Sequence, residues 1–370
     1  MKATLCLTHQ CNMACRYCYA GRAPKPDMSQ STAYKCIDFA LGSLAAGKSL
    51  DLCMFGGEPF LRFDLLQQVT AYAYRQAAVA GKVVHISVTT NGTLISPEIV
   101  NYAEENDVRL CFSLDGPPEI HDRNRRYRDQ RSTSEDVMRN LEYAAKRLQC
   151  LEVNAVFGPD TIDEIPRCVE FFVTSGISLI HLNPNIKAAW SDELSPRLPD
   201  IYTRLANYYI ACYRESHEIT VNLLDDKMLL FLKGGYDSAD TCSMGDGEMA
   251  FAPSGNIYPC ERFIGEDDNL SLCLGNIHTG IDLKRRCALR ARRGNRNFEC
   301  LGCKVVKYCM NWCGCTNYFM SGQTDIATSI LCAMERANIA AARRTFDALA
   351  LSGNELFIQH MYRYVEAGFH

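Results

Sequence analysis

Short apolar runs alternate with segments of helical periodicity along the chain as far as about residue 220. Apolar runs of this length are typical of buried strands, and apolar positions three or four apart are typical of helices. The pattern predicts strands at Ala3–Thr8, Leu50–Phe55, Val83–Val88, Val108–Ser113, Leu151–Phe157 and Ile177–Leu182. It predicts helices at Tyr34–Ala46, Phe63–Ala80, Ser96–Asn106, Ser134–Gln149, Ile162–Ser175 and Leu198–Ser216. Six such pairs favour a parallel α/β fold and are too few for a closed eight-fold barrel, so we expect a partial (β/α)6 barrel.

The alternation is expected to stop past about Asn222, where a stretch rich in glycine and cysteine runs to about Cys332. A helix is predicted at Met334–Leu351, with another near the end of the chain. The predicted domains are therefore a barrel at 1–220, a cysteine-rich domain at 221–335 and a helical segment at 336–370.

Polar and glycine-rich motifs follow directly after four of the predicted strands. In order, they are Cys11–Cys18, Gly56–Pro59, Thr89–Gly92 and Ser113–Gly116. Parallel α/β folds place their sites at the carboxyl ends of the strands. The four motifs are therefore expected to share one edge of the barrel.

Composition excludes some classes of partner. The 370 residues are 47% hydrophobic and 22% charged, with a net charge of −4, which gives no reason to expect nucleic acid or an acidic membrane. The basic runs Arg123–Arg131 and Lys284–Arg296 are interpreted as solvated surface. No apolar run reaches transmembrane length and no secretory signal precedes the first strand, so a reducing cytoplasmic location is expected.

Twenty cysteines in a reducing compartment indicate metal ligands or small buried side chains rather than disulfides. Cys11, Cys15 and Cys18 are spaced C-x3-C-x2-C, with no fourth cysteine close by. Three thiolates on a four-iron cube leave one iron open to a substrate or cofactor. A zinc site formed with His9 is the alternative.

This spacing, with Tyr17 just before the last cysteine, resembles the signature of radical S-adenosylmethionine (SAM) enzymes. The resemblance implies that the open iron binds the amino and carboxylate groups of SAM. The reduced cluster then cleaves SAM to methionine and a 5′-deoxyadenosyl radical. The turn Gly56-Gly57-Glu58 is implied to contact the SAM ammonium, and the alternative is a tight turn with Glu58 on the surface.

Further SAM-binding residues are implied at the ends of the later strands. Hydroxyl, amide and carboxylate groups there suit a ribose and an amino-acid carboxylate. Arg125 is the candidate partner of the SAM carboxylate, and Asn154 lines the adenosine side or satisfies backbone at a strand end. Besides the glycine turn, the implied cofactor-binding set is Tyr17, Thr89, Asn91, Ser113, Asp115, Arg125 and Asn154.

The later cysteines resemble the SPASM extension of radical SAM enzymes. The pattern is Cys242, then Gly255-x4-Cys260, then Cys300-x2-Cys303-x5-Cys309-x3-Cys313, then Cys332. The resemblance implies two auxiliary clusters, and with the first motif three [4Fe-4S] clusters in all. Zinc is the alternative for Cys300, Cys303, Cys309 and Cys313.

The ligands of the two auxiliary clusters interleave in this resemblance. The distal cluster is expected on Cys300, Cys303, Cys309 and Cys332, and the cluster nearer the barrel on Cys242, Cys260 and Cys313. The second set lacks a fourth thiolate, because no second cysteine lies near Cys242. Either another residue completes it, with Cys315, Cys273 and Cys287 as candidates, or an open iron holds a substrate thiolate.

Glu261 directly follows Cys260, where sulfatase-maturing relatives carry an aspartate that acts as a base. A carboxylate there is able to accept a proton during substrate oxidation, and a surface salt bridge is the alternative. The other cysteines are expected to be small buried residues: Cys6, Cys36, Cys53, Cys111, Cys150, Cys168 and Cys212.

The resemblance implies a radical SAM/SPASM maturase that oxidises a ribosomally made peptide to form a thioether or carbon–carbon crosslink. Only ten residues precede the cluster motif, so no leader-binding module is expected, which raises an anaerobic sulfatase maturase as the alternative. A non-catalytic iron–sulfur or zinc scaffold is a hypothesis of another class. A peptide or protein substrate and a flavodoxin- or ferredoxin-type electron donor are the expected partners.

Overall fold

The computed structural model describes residues 1–20, 26–148, 150–237, 240, 242–292, 297–311 and 313–367. The strands are β1 (Lys2–Thr8), β2 (Leu50–Gly56), β3 (Val84–Thr90), β4 (Val108–Ser113), β5 (Leu151–Phe157), β6 (Leu179–Pro184), β7 (Thr220–Val221), β8 (Glu248–Phe251), β9 (Asn256–Tyr258), β10 (Gly275–Asn276) and β11 (Gly280–Ile281). The helices are α1 (Gln30–Ser43), α2 (Phe63–Val79), α3 (Pro97–Glu105), α4 (Pro118–Asn124), α5 (Ser134–Ala145), α6 (Ile165–Thr174), α7 (Leu198–Arg214), α8 (Asn222–Leu232), α9 (Leu283–Ala291), α10 (Gly314–Ser321), α11 (Ser329–Ala350) and α12 (Glu355–Ala367).

The six predicted strand–helix pairs are confirmed, with ends that differ by a few residues. The strand–helix alternation continues slightly beyond its expected end near Asn222, because β7 is followed there by α8. Short elements such as α4 and β8 were not predicted. The predicted helix end at Gln149 lies outside the described residues. In the described ranges, no helix is both long and apolar enough to cross a bilayer.

The chain packs as two compact units. Unit 1 comprises Met1–Ser113, His121–Leu151 and Ser243–Ala291. Unit 2 comprises Leu114–Ile120, Glu152–Cys242 and Arg292–His370. The predicted domains are consecutive stretches of the chain, whereas each unit combines separate stretches. The predicted boundaries at residues 220 and 335 therefore stay predictions.

In unit 1, β1 is the central strand. It pairs in parallel with β2 on one side and with β8 on the other, and β2, β3 and β4 follow in order. Leu5, Leu52 and Val88 point to the helix-covered face and are fully buried. Because side chains alternate along a strand, the residues between them face the opposite side, where Cys53 and Thr89 are half-buried.

In unit 2, β5, β6 and β7 pair in parallel. The long helix α11 packs against α7 and α8. The aromatic side chains of Tyr202, Tyr209 and Tyr213 on α7 are fully buried and fill this helical core.

The last helix, α12, is attached to the rest of unit 2 through hydrogen bonds between ionisable side chains. His360 Nε2 lies 2.7 Å from Asp225 Oδ1, and its Nδ1 lies 3.2 Å from Glu218 Oε1. Asp225 Oδ1 also accepts a hydrogen bond from the Tyr209 hydroxyl at 2.7 Å. Burial opposes protonation of His360, but the two carboxylates outweigh it and raise the pKa of the imidazole above 6.5.

We predict that His360→Gln weakens the attachment of α12 in a pH-dependent way. A raised histidine pKa contributes stability that is complete below about pH 6.5 and is lost as pH rises through the folded-state pKa. Hydrogen exchange of the α12 amides measures this, and the substitution is expected to cost about 1.5–3 kcal/mol of protection at pH 6. The cost is expected to be smaller at pH 8.5; an equal loss at both pH values would contradict the charge-based account.

Candidate functional site

The cysteine loop Cys11–Cys18 follows β1 and is fixed by a second segment of backbone. The Ala14 amide donates to the Arg126 carbonyl at 2.8 Å, and the Arg16 amide donates to the Asn124 carbonyl at 2.9 Å. These bonds fix the loop against the segment 124–126. All three cysteines remain partly exposed, which leaves their sulfurs available to a metal group.

Part of the arginine run 123–131 supports this loop, so the interpretation of the whole run as solvated surface is wrong. Arg128 Nε donates to the Cys11 carbonyl at 2.7 Å. Arg125 is buried, and its guanidinium carbon lies 5.2 Å from the centre of the Tyr17 ring. Tyr17 and Arg125, both predicted cofactor-binding residues, are thus neighbours.

The glycine turn after β2 lies against the backbone that leads into the cysteine loop. The Gly57 amide donates to the Thr8 carbonyl at 2.8 Å, and the Glu58 amide donates to the Gln10 carbonyl at 2.9 Å. A Cβ atom on Gly57 would lie 2.1 Å from the Gln10 oxygen, and one on Gly56 would lie 2.3 Å from the Thr8 oxygen. Both positions therefore require glycine.

Glu58 is fully buried, so the alternative of a surface turn is wrong. Its carboxylate accepts hydrogen bonds from the Asn91 amide at 2.7 Å, the Thr90 hydroxyl at 2.8 Å and the Phe60 amide at 3.2 Å. Burial raises the pKa of Glu58 to about 7, although these three donors favour the ionised form. The side chain thus fastens the end of β3 to the glycine turn.

Asn91 connects the end of β3 to the cysteine loop. Its Nδ2 donates to Asn12 Oδ1 at 2.9 Å and lies 3.7 Å from the Cys11 sulfur. Its Oδ1 accepts from the Thr93 hydroxyl at 2.6 Å, and that hydroxyl accepts from Asn12 Nδ2 at 2.7 Å. Sequence reasoning missed Asn12 and Thr93; the signal was their position, one inside the cysteine motif and one beside Asn91.

The other predicted SAM-binding residues lie at strand ends in both units. In unit 1, Thr89 Oγ1 lies 3.7 Å from the Cys53 sulfur, and Ser113 ends β4. In unit 2, Asp115 Oδ1 accepts from the Val156 amide at 3.0 Å, and Asn154 Oδ1 accepts from Asn183 Nδ2 at 2.9 Å. Their roles toward SAM stay predictions.

His9, the fourth ligand in the zinc alternative, is buried at the start of the loop. Its Nδ1 lies 2.8 Å from the Ala20 carbonyl oxygen and donates to it, because a carbonyl only accepts. Its Nε2 has no hydrogen-bond partner among the described residues.

A second cluster of ligating groups lies at the opposite end of β1. The donor atoms of Glu248, Cys260 and Glu261 all lie within 4.8 Å of one another. Cys260 Sγ donates to Glu261 Oε2 at 3.3 Å, and Lys2 Nζ lies 3.3 Å from Glu248 Oε1 and 4.0 Å from Glu261 Oε2. Burial favours neutral Glu261, but Lys2 and Arg262 outweigh it and lower the pKa of Glu261 to about 2. Glu261 thus forms the salt bridge that was the alternative to a catalytic role, although its side chain is only 17% exposed.

Three cysteines are candidates for the missing auxiliary ligand. Cys315 is buried in α10, and its sulfur lies 3.1 Å from that of Cys313. Cys273 is buried and donates its thiol hydrogen to the Gly275 carbonyl at 2.8 Å. Cys287 is exposed.

The four predicted ligands of the distal cluster line one cavity in unit 2. The cavity has a volume of about 250 Å³. Its lining includes Cys300, Cys303, Cys309, Cys332, Asn311, Glu335 and Arg336. The four cysteines therefore share one space, and their assignment to an iron–sulfur cube rather than zinc stays a prediction.

A buried ion pair supports this cavity from α8 and α11. Glu335 Oε1 accepts from Lys227 Nζ at 2.6 Å and from the Met310 amide at 3.0 Å. Met310 directly follows Cys309, and Glu335 lies one helical turn after Cys332. The carboxylate therefore joins the two segments that carry these cysteines.

Most of the cysteines outside the motifs are buried as predicted: Cys6, Cys36, Cys111, Cys168 and Cys212. Cys53 is half-buried, and Cys150 is exposed, so the prediction for Cys150 is wrong. A position just before a strand does not by itself bury a side chain.

We predict that Gly57→Ala displaces the cysteine loop. The overlap of the new Cβ with the Gln10 carbonyl is expected to cost about 1–3 kcal/mol of unfolding free energy. After anaerobic reconstitution, the variant is expected to lose about four iron, the content of one cube. Gly42→Ala is the matched control, since nothing lies within 4 Å of its Cβ position in α1. Full iron content and wild-type stability in Gly57→Ala would refute the role of this contact.

We predict that Glu335→Ala costs about 3–5 kcal/mol of unfolding free energy, because it leaves the Lys227 ammonium buried without its carboxylate. Denaturant unfolding of the apoprotein measures the loss. Replacing both partners with methionine removes the unpaired charge and is expected to recover much of it. If the double variant is as unstable as the single one, the unpaired charge is not the cause.

Comparison with known proteins matches the first part of the chain to a family. Residues 5–172 match the model of the radical SAM superfamily. The chain is 23% identical over 335 residues to the radical SAM cyclopropyl synthase TigE of Paramaledivibacter caminithermalis, an alignment covering 84% of the chain and 66% of that relative. It is 22% identical to a cysteine-type anaerobic sulfatase-maturating enzyme of Clostridium novyi, with 69% of the chain and 71% of the relative aligned.

The fold is also that of solved radical SAM structures. The structure of native anSMEcpe with bound AdoMet and Kp18Cys peptide superposes with a TM-score of 0.77 at 16% identity, over 98% of this chain and 99% of the other. The partial barrel and the cysteine-rich carboxyl-terminal region predicted from the sequence are thus confirmed as a fold. The match at residues 5–172 spans the cysteine loop and the Gly-Gly-Glu turn, and this part of the chain is a radical SAM domain.

Proposed function

We propose that the chain is a radical SAM/SPASM maturase that oxidatively modifies a side chain or backbone carbon of a ribosomally made peptide, forming a thioether or carbon–carbon crosslink. The observation that carries the proposal is the cavity lined by Cys300, Cys303, Cys309 and Cys332 in a chain that also has the radical SAM cysteine loop. Separate cysteine centres suit an oxidation in which one centre starts the reaction and another accepts an electron.

Three four-iron clusters and SAM are the proposed cofactors. When bound, the first cluster and SAM would supply a 5′-deoxyadenosyl radical that abstracts a hydrogen atom from the substrate. Cys11, Cys15 and Cys18 would hold this cluster, on a loop fixed by backbone hydrogen bonds. The partial exposure of all three sulfurs fits that role.

The glycine turn and the strand ends would bind SAM. Gly56 and Gly57 offer backbone carbonyls next to the cysteine loop, and buried Glu58 fixes their position by holding the end of β3. Arg125, beside Tyr17, would pair with the SAM carboxylate, since a guanidinium binds carboxylate through two parallel hydrogen bonds.

Glu261 is the proposed proton acceptor during substrate oxidation. Its carboxylate lies beside the Cys260 sulfur and near the Lys2 ammonium. The Lys2 ammonium keeps this carboxylate ionised, and therefore unprotonated before the reaction, while it lowers the basicity of the group.

A peptide substrate is supported by what the similar proteins bind. The anSMEcpe structure holds a peptide together with AdoMet. The sulfatase-maturating relative favours a second candidate, an anaerobic sulfatase maturase that forms formylglycine from cysteine or serine. A flavodoxin- or ferredoxin-type protein is the proposed electron donor.

The proposal predicts that anaerobically reconstituted protein, reduced with dithionite, cleaves SAM to 5′-deoxyadenosine and methionine. A variant with Cys11, Cys15 and Cys18 all replaced by alanine is expected to lose at least 100-fold of this rate, because it cannot hold the SAM-binding cluster. Liquid chromatography with mass detection measures both products.

Mass change in added peptides distinguishes the candidates. A loss of two hydrogens in a candidate precursor peptide supports a crosslinking maturase, and conversion of a cysteine or serine in a sulfatase peptide supports the second candidate. Protein that binds iron but never cleaves SAM would instead support the scaffold hypothesis.

A further inference from the structure

The ligand set predicted for the auxiliary cluster nearer the barrel is one thiolate short. The sequence pattern assigns it Cys242, Cys260 and Cys313. Cys315, one of the three cysteine candidates for the fourth place, lies in unit 2, with its sulfur 3.1 Å from that of Cys313. The other two lie in unit 1 with Cys260, but neither suits the place. The Cys273 thiol is committed to the Gly275 carbonyl at 2.8 Å, and Cys287 is exposed on α9.

Sheet register brings a carboxylate to Cys260 instead. Glu248 begins β8, where it pairs with Lys2 of β1. Strand β9 returns antiparallel to β8, with Tyr258 opposite Ala250. Cys260 lies two residues beyond Tyr258, so the chain carries its sulfur back to the start of β8. As a result, the Glu248 carboxylate and the Cys260 sulfur lie within 4.8 Å of each other.

The position of Glu248 along the chain also suits a ligand set that it shares with Cys242 and Cys260. Glu248 lies six residues after Cys242, within the interval that separates Cys242 from Cys260. It sits on a strand that is hydrogen-bonded on both edges, by β1 and by β9. A ligand on a paired strand is held more firmly than one on a loop.

The charges at this site favour a cation. The two carboxylates of Glu248 and Glu261 and the thiol of Cys260 have ligand atoms within 4.8 Å of one another, and each side chain is at least partly buried. Lys2 lies near both carboxylates, and Arg262 acts on Glu261. An iron bound by the thiolate and one carboxylate would offset the remaining negative charge, since buried charges require compensation.

We propose that Glu248 supplies a carboxylate ligand to the iron–sulfur cluster held by Cys260, in place of the missing fourth thiolate. The inference rests on the proposed function for the presence of that cluster. Glu261, whose carboxylate accepts the Cys260 thiol hydrogen bond in the metal-free chain, keeps its separate role as proton acceptor.

The experiment compares wild type, Glu248→Ala, Glu248→Cys and Glu261→Gln as full-length, anaerobically reconstituted proteins. Iron content, EPR and 57Fe Mössbauer spectra are recorded. In the Mössbauer spectrum, the wild-type protein is expected to show one auxiliary iron with a larger isomer shift than the thiolate-bound irons, because oxygen ligation increases the isomer shift. Glu248→Cys is expected to keep its iron and lose that component, because it supplies the fourth thiolate. Glu248→Ala is expected to lose about one iron on mild oxidation and to show a three-iron EPR signal.

Glu261→Gln is the matched control, since its carboxylate faces the same lysine and the same cysteine. It is expected to keep the wild-type spectra. Unchanged spectra in both Glu248 variants would overturn the proposal, as would loss of the distinctive iron in Glu261→Gln. Equal cluster loss in Glu248→Ala and Glu248→Cys would also overturn it, because it indicates that Glu248 acts only through Lys2. Wild-type protein without iron would refute the proposed function itself, whereas intact clusters insensitive to Glu248 refute only this inference.

Discussion

The close approach of two backbone segments is the constraint on which the candidate site depends. Gly56 and Gly57 lie so near the carbonyls of Thr8 and Gln10 that no side chain fits between them. This contact places the turn after β2 against the entry to the cysteine loop. Glu58, buried directly after the turn, then fixes the end of β3. Three strand ends are thereby held at one place, and the backbone groups proposed to bind SAM lie beside the cysteines proposed to hold its cluster.

Strand β1 relates the two groups of metal ligands in unit 1. Its carboxyl end leads into Cys11, and its first residue, Lys2, faces Glu248 and Glu261 near Cys260. The strand has seven residues, which corresponds to roughly 20 Å at the rise of a parallel strand. Under the proposed function, a substrate bound along β1 would lie between the proposed radical-forming centre and the proposed electron acceptor.

The sequence predicted most of what depends on local pattern. Apolar runs and helical periodicity located the six strand–helix pairs, and cysteine spacing grouped the four cysteines that line the cavity around Cys332. Helix α8 was missed because it directly follows β7, a strand of only two residues, at the place where the alternation was expected to stop. The support that Arg128 gives the cysteine loop was missed because it joins residues 117 positions apart.

The proximity of Glu248 to Cys260 was likewise not predictable from spacing. It depends on β8 pairing in parallel with β1 and on β9 returning beside β8, and neither short strand has a strong sequence signal. Burial of Glu58 was also decided by tertiary structure, since its three hydrogen-bond donors come from two separate loops. Long-range contacts of this kind determine the chemistry of a site, whereas local pattern determines where the site lies in the fold.

Iron and sulfide analysis of the anaerobically reconstituted chain tests the central claim most directly. Three cysteine centres, each holding a four-iron cube, predict about twelve iron and twelve sulfide per chain. Replacing Cys300 and Cys303 with alanine is expected to remove about four of each and leave the remaining clusters in place. Stoichiometric zinc with little iron would contradict the account and leave a zinc-stabilised protein with no means of radical chemistry.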